Sequence, residues 1–516
     1  MITCEIKKGL WVIAIVLLLL TPAFAGTKSM VYATSAEVTT WDPSASYSTE
    51  ITYMVNFYET LIRVNPPGSA EPYTYLLATG FSSSEDGLEY TFKLRQGVKF
   101  HDGTAFTANA VKLSIERTRR LKQGAAFIWD DLEKTEIIDD YTITFFLKKP
   151  VPLPQILASS YASYIMSPSV IDKPSDWFDE GNECGTGPYT LKNYKDGESW
   201  IMSKFPEYWG GWKEGQAENV LVKISQDALV KMQMLMSGEA QIVNNIPTDS
   251  YANIRDTKDT TVLYGPSFYN FVAFFNTSRP PLDNVKRRRA LCYAMPYQDI
   301  IKVALLERAT QARCVIPAGQ FGYTKDVFQY SHDLKKARQL LAEAGLPKGG
   351  LKLKLIYTAG NQNEVRMAPL IKDALAKIGV DLDIQALVWN TQWEIGKRAE
   401  KDGYDIFLVW WWPTFADPYE TLVSLFGTEQ KTAWNFSYYS NPTYDKLIRK
   451  AYESAGSHPE NALKLYVNAQ NILQQDAPAA FLGDQMTSIP VRRELQNVVI
   501  NPAYPGGLFF YDMRLK

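Results

Sequence analysis

Along this chain the apolar positions switch between the two-residue period of a half-buried strand and the 3.6-residue period of an amphipathic helix. Tyr90, Phe92 and Leu94 alternate with polar neighbours behind the turn signal Asp86-Gly87, which predicts a strand hairpin over 86–100. Ala110, Val111, Ser114 and Ile115 take helical spacing over 107–120, with Thr107 as candidate N-cap. Residues 141–147 alternate again. Leu334, Ala337, Leu340, Leu341 and Ala344 share one face of a helix over 332–345 that Gly345 closes. A strand over 351–357, a helix over 363–378 and a strand over 380–387 follow. That succession implies a parallel strand pair in the C-terminal half. Asn441-Pro442 then opens a helical tract over 443–475, broken near Gly456 and Pro459. No repeat or low-complexity segment interrupts this mixture, which reads as a large α/β body.

One stretch departs from both periods. Residues 10–20 are an unbroken apolar run behind Lys7 and Lys8, and Ala23-Phe24-Ala25 follows Thr21-Pro22. That is the layout of a secretory signal over residues 1–25, with cleavage expected before Gly26. The rival reading, a membrane anchor, needs about 20 apolar residues. Cys4 precedes the run and no cysteine follows it closely, so the protein is expected free in the periplasm rather than lipid-anchored.

Composition excludes more than it selects. The net charge of −2 gives no electrostatic case for nucleic acid or anionic lipid as partner. A chain of 516 residues that is 46% hydrophobic suffices for roughly three domains without a disulfide scaffold. Beyond the signal, Cys184, Cys292 and Cys314 leave at least one thiol unpaired, and Cys292–Cys314 is the expected pair if one forms.

Catalytic signatures fail in turn. There is no G-x-S-x-G elbow and no P-loop. Gly185-Thr186-Gly187 begins like a dinucleotide loop but lacks the third glycine, and Pro188 removes a donor, so it reads as a structural turn. His101, His332 and His458 stand apart without metal-ligand spacing, and no metal or cofactor is expected. Asp130-Asp131 and Asp139-Asp140 are adjacent, so their side chains diverge. Aromatic residues are concentrated instead. Trp389, Trp393, Trp410, Trp411, Trp412 and Trp434 make up six of the 13 tryptophans. One or two of the three consecutive residues are expected to face a cavity, the alternative being that all pack in an inter-domain core.

Several collinear stretches resemble one family, the large solute-binding subunits of peptide-type ABC importers (extracellular solute-binding protein family 5). Thr40-Trp41-Asp42-Pro43 and Tyr58-Glu59-Thr60-Leu61 open the series. The densest match runs through Tyr90-Thr91-Phe92-Lys93-Leu94-Arg95 and Val98-Lys99-Phe100-His101-Asp102-Gly103-Thr104. Gly185-Thr186-Gly187-Pro188-Tyr189, Tyr208-Trp209-Gly210-Gly211, Ser237-Gly238-Glu239 and Asn441-Pro442 continue it in order. The resemblance implies a two-lobed periplasmic binding protein of the large three-domain variant. Domain I would comprise 26–56, 179–270 and 481–516, with domain II inserted over 57–178. Domain III over 271–480 would face them across a hinge crossed near 271–276 and 479–482. Lobe closure over the ligand would be a shift between pre-existing open and closed states.

The same resemblance names a ligand wall. The loop 46–50, with Tyr47 and Glu50, would lie alongside the ligand, and Trp129 would sit in the stretch that lids the pocket. Asn244 and Asn245 would form a polar pair on its floor. The strand bearing Trp410, Trp411 and Trp412 would be the edge along which a peptide adds, and Trp434 belongs to the same aromatic wall. Peptide-binding relatives carry an aspartate three residues before the Asp/Glu-Pro step; here the step is Asp417-Pro418 and that position is Thr414. Threonine offers no counter-charge to a ligand ammonium, though Asp417 is a candidate substitute. The expected role is therefore capture, by a monomer, of a peptide-like ligand for delivery to membrane permeases. An oligosaccharide, an opine-like solute or a metal chelate are alternative ligands. A secreted hydrolase and a chaperone or sensor of the same fold are the other classes.

Overall fold

A computed structural model describes residues 28–244, 246, 248–255, 257–398 and 403–516. The expected signal segment, its cleavage point and Asn245 lie outside the described residues.

The helices and strands expected from periodicity form for the reasons their sequences give. Tyr90, Phe92 and Leu94 point one way from the strand Glu89–Leu94 and are buried, as alternation requires. The helix Ala108–Leu121 starts after Thr107, whose side chain makes no cap bond. Asp333 caps Leu334–Glu343 through the Lys336 amide, and Gly345 leaves that helix at φ +82°. Leu351–Thr358 and Val380–Leu387 are parallel partners, joined by the helix Gln362–Ala376. The long helical tract is two helices, Pro442–Ala455 and Pro459–Asp476. The Asn441 side chain accepts from the Thr443 and Tyr444 amides and Pro442 takes the first turn, which explains that dipeptide as a helix start.

Tertiary pairing then builds one central sheet of 11 strands among the described residues. Two long antiparallel strands, Thr260–Phe275 and Ala479–Arg492, run through its middle. At one end Val491 pairs with Ile242, next to Ser29–Thr34, Asn219–Ile224, Ser199–Lys204 and Tyr189–Lys195. At the other, Asn270–Phe275 pairs with Ile406–Trp411 beside the parallel pair. The ladder breaks register between Gly265 and Tyr269; beyond the break Asn270–Phe275 also pairs with Ile406–Trp411. The expected crossings at 271–276 and 479–482 lie on these two strands, whose ladder shifts register again between Phe271 and Val272. A separate four-stranded antiparallel sheet, Ala78–Ser83, Glu89–Leu94, Thr142–Leu147 and Leu132–Asp139, packs with the helix Ala108–Leu121 in the inserted region.

The expected Cys292–Cys314 pair is corrected: Cys184, Cys292 and Cys314 are all free and buried. Alternate residues of the second lobe's strands feed two cores on opposite faces of the sheet. Phe271, Ala273 and Leu408 enter one with Cys292; Val272, Phe274 and Phe407 enter the other with Cys314. Proximity in sequence could not bring together thiols that the sheet separates.

Candidate functional site

The strand Ile406–Trp411 is nearly continuous in apolar residues because both of its faces are covered. Its two-residue period divides the tryptophans. Trp410 and Trp412 lie on one side, their rings 4.8 Å apart, with Tyr269 at 5.0 Å from Trp410. Trp411 turns to the other side and meets Trp434 edge-on at 5.0 Å, and Trp434 also stacks with Trp389.

A cavity of about 360 Å³ opens where the long strands cross between the lobes. Trp410 and Tyr269 form an aromatic wall, Asn361 and Asn363 come from the start of the helix Gln362–Ala376, and Asn244 and Arg308 also line it. Gln485 lies in the break of the long ladder and accepts from Asn363 at 3.4 Å. The volume falls in the usual range for small-molecule sites, and aromatic walls with a few amides suit a polar ligand with an apolar or planar part.

Of the residues named from sequence, Trp410 and Asn244 line this cavity. Trp412 lies tilted beside Trp410 without being part of the lining, whereas Trp411 and Trp434 are half-buried and pack against the core on the opposite face. Trp129 is 1% exposed, and its indole N–H donates to the Ala162 carbonyl at 2.8 Å. Glu50 is fully buried and accepts from Ser46 Oγ, Thr39 Oγ1 and the Ser48 amide, so it organises its own loop. Asp417 is a helix cap, accepting from the Tyr419 amide and the Tyr466 hydroxyl; burial pushes its carboxyl up to about 6.

Thr414 and Tyr47 do meet. The Tyr47 hydroxyl reaches Thr414 Oγ1 at 2.9 Å, and Thr414 Oγ1 donates to Glu420 Oε1 at 3.1 Å. Ser159 Oγ also donates to the Thr414 carbonyl at 3.0 Å. The segment after the tryptophan strand is thus strapped to loop 46–50 and the inserted region. Beneath it lies Glu420, a buried carboxylate that no sequence pattern singled out, pushed up to about 7 by burial against hydrogen bonds from Thr414 and Ser424. Tyr269, Arg308, Asn361, Asn363 and Gln485 were missed too. Each is an ordinary residue in its local pattern and acquires a role only from the crossing of the strands.

Glu420 makes stability depend on pH. Its folded-state value of about 7 stands above the 4.5 of a free glutamate, so the folded protein holds the proton more tightly. The contribution is complete below 4.5 and is lost as pH rises towards 7. Glu420→Gln is expected to flatten this slope, narrowing the difference in unfolding free energy between pH 5 and pH 8 by roughly 2–3 kcal/mol. Denaturant titrations of both proteins at the two pH values provide the check; identical slopes would contradict it.

Comparisons with known proteins agree with this architecture. Residues 72–433 match the family described as bacterial extracellular solute-binding proteins, family 5 Middle. The chain belongs to that family. It is similar to the glutathione-binding protein GsiB of Salmonella typhimurium, 30% identical over 469 residues and 89% of each chain. It is also similar to the probable D,D-dipeptide-binding periplasmic protein DdpA of Escherichia coli, 29% identical over 482 residues and 92% of each. Among solved structures, DppA from Helicobacter pylori in complex with the peptide STSA superposes with a TM-score of 0.77 at 25% identity, covering 94% of this chain and 98% of that one. The two-lobed α/β periplasmic-binding-protein fold is therefore established for this member of family 5, and the relatives named are binding proteins. No helix among the described residues is long and apolar enough to cross a membrane.

Proposed function

We propose that this family 5 member is the periplasmic subunit of an ABC importer that binds a peptide-like or other small polar solute between its lobes and hands it to the permease without turnover. The observation that carries this reading is the cavity at the strand crossing, lined from both lobes by aromatic rings and amides. A ligand held there touches Asn244 on one side and Trp410 and Asn363 on the other, so it favours the closed arrangement by contacts that the open one lacks. The relatives' peptide, dipeptide and glutathione ligands set the default class.

The strap around Thr414 favours ligands whose amino group is absent or blocked. At the position three before Asp417-Pro418 the hydroxyl is engaged by Tyr47 and Glu420 and exposes no carboxylate. A desolvated ammonium there would lack a partner. A thermal-shift screen of short peptides, N-acetylated peptides, opine-type conjugates and oligosaccharides tests both points. A true ligand at 100 times its Kd is expected to stabilise the protein by about 2.7 kcal/mol. Strong shifts confined to peptides with free amino termini would overturn the reading of Thr414, and turnover of any compound would overturn binding without catalysis.

A further inference from the structure

The cavity contains a cation that no carboxylate among the described residues pairs. Arg308 is half-buried in the lining, and among the described residues its guanidinium makes no ion pair and no hydrogen bond. The other interior arginines of this protein are engaged. Arg117 forks onto Asp42, Arg288 donates to the Asp476 and Leu282 carbonyls, and Arg366 donates to the Ala304 carbonyl and Asn363. Arg308 has only an aromatic face, lying 4.0 Å over the ring of Tyr264, which holds the guanidinium plane while leaving its N–H edge open. No aspartate or glutamate is among the residues that line the cavity.

The backbone just before Arg308 is strained. Leu306 and Glu307 are consecutive non-glycine residues at φ +52° and +60°, a left-handed pair that costs conformational energy. The Met486 amide then donates to the Arg308 carbonyl at 2.8 Å, fixing the residue against the long strand where that strand crosses between the lobes. Strain followed by a pinned, unpaired cation in a cavity is the arrangement of a residue placed for something outside the chain.

We infer that Arg308 anchors an anionic group of the ligand, so that the solute carried by this receptor is an organic anion. The inference rests on the binding role proposed above and specifies its ligand. Five donors in a planar fork match a carboxylate or a phosphate, and enclosure between Tyr264 and the cavity wall strengthens the pairing. The uncharged amides of Asn244, Asn361 and Asn363 then serve the rest of the molecule. Because no carboxylate shares the lining, selection falls on the ligand's negative charge rather than on an amino group.

Calorimetric titration with matched pairs tests this. Di- and tripeptides, their N-acetyl forms and sugar–amino acid conjugates are each offered as the free acid and as the carboxamide, with a phosphorylated sugar and neutral oligosaccharides beside them. The wild-type protein is expected to bind an acid, or the phosphate ester, about 30-fold more tightly than its neutral counterpart. Arg308→Gln is expected to erase that difference by weakening only the anion, while Arg308→Lys retains part of it. Melting of the ligand-free variants controls for folding. Equal affinity for acid and amide, or an anion affinity unchanged in Arg308→Gln, would overturn the inference. A neutral oligosaccharide bound tightly by both proteins would overturn it too, yet leave the receptor role standing. Absence of binding by every compound to the wild type would remove both.

Discussion

Asp42→Ala is expected to destabilise the protein by about 3–5 kcal/mol, the usual effect of removing one partner from a buried ion pair. Asp42 is fully buried, and its two oxygens accept from Arg117 NH1 and NH2 at 2.6 and 2.7 Å. The Ser44 amide and the Ser175 hydroxyl complete its partners. Arg117 comes from the helix Ala108–Leu121 of the inserted region and also binds the Ile171 and Lys173 carbonyls. Truncation would leave a guanidinium at the join between the N-terminal segment and the insertion, out of water and without its counter-charge. Denaturant unfolding gives the magnitude, and Asp42→Ala combined with Arg117→Met is expected to recover much of the loss because no charge is then stranded. A single variant within about 0.5 kcal/mol of wild type would refute the account.

Gly185→Ala is expected to cost about 3 kcal/mol or more, because the added Cβ would stand 2.0 Å from the Phe57 carbonyl oxygen. The obstacle is backbone, so no rotamer change relieves it. The adjoining chain is pinned as well: the Gly187 amide donates to Phe57, and the His101 amide donates to the Gly185 carbonyl. A Cβ on Gly187 would meet the Asn56 carbonyl at 2.5 Å. Gly80→Ala is the matched control, since nothing lies within 4 Å of a Cβ there. Its effect should stay within about 0.5 kcal/mol. Comparable melting temperatures for the Gly185 and Gly80 variants would show that the chain can yield at 185.

These two positions show what the motif stretches are for. Trp41-Asp42-Pro43, Tyr58-Glu59 and Gly185-Thr186-Gly187 are assembly joints. Glu59 accepts from Thr186, Tyr208 and Trp209, drawing two other motif segments onto one buried carboxylate. None of these residues lines the cavity at the strand crossing. Motif density therefore reported the family and the fold, through residues that hold segments of this chain to one another. Glu50, Trp129 and Asp417 each hydrogen-bond within the protein.

By itself the sequence determined the local elements and the family. Alternation at Tyr90, Phe92 and Leu94, the face of Leu334–Glu343 and the Asn441-Pro442 start depend on neighbours a few residues away, and those are written in order. Only the tertiary structure decided which tryptophan faces the cavity. It also decided that Cys292 and Cys314 sit on opposite sides of a sheet, that Tyr47 meets Thr414, and that Arg308 lines the same cavity as Trp410. The physical reason is common to all four. Each depends on the register of two long strands and on partners between about 20 and 370 positions away, and no local period carries that information.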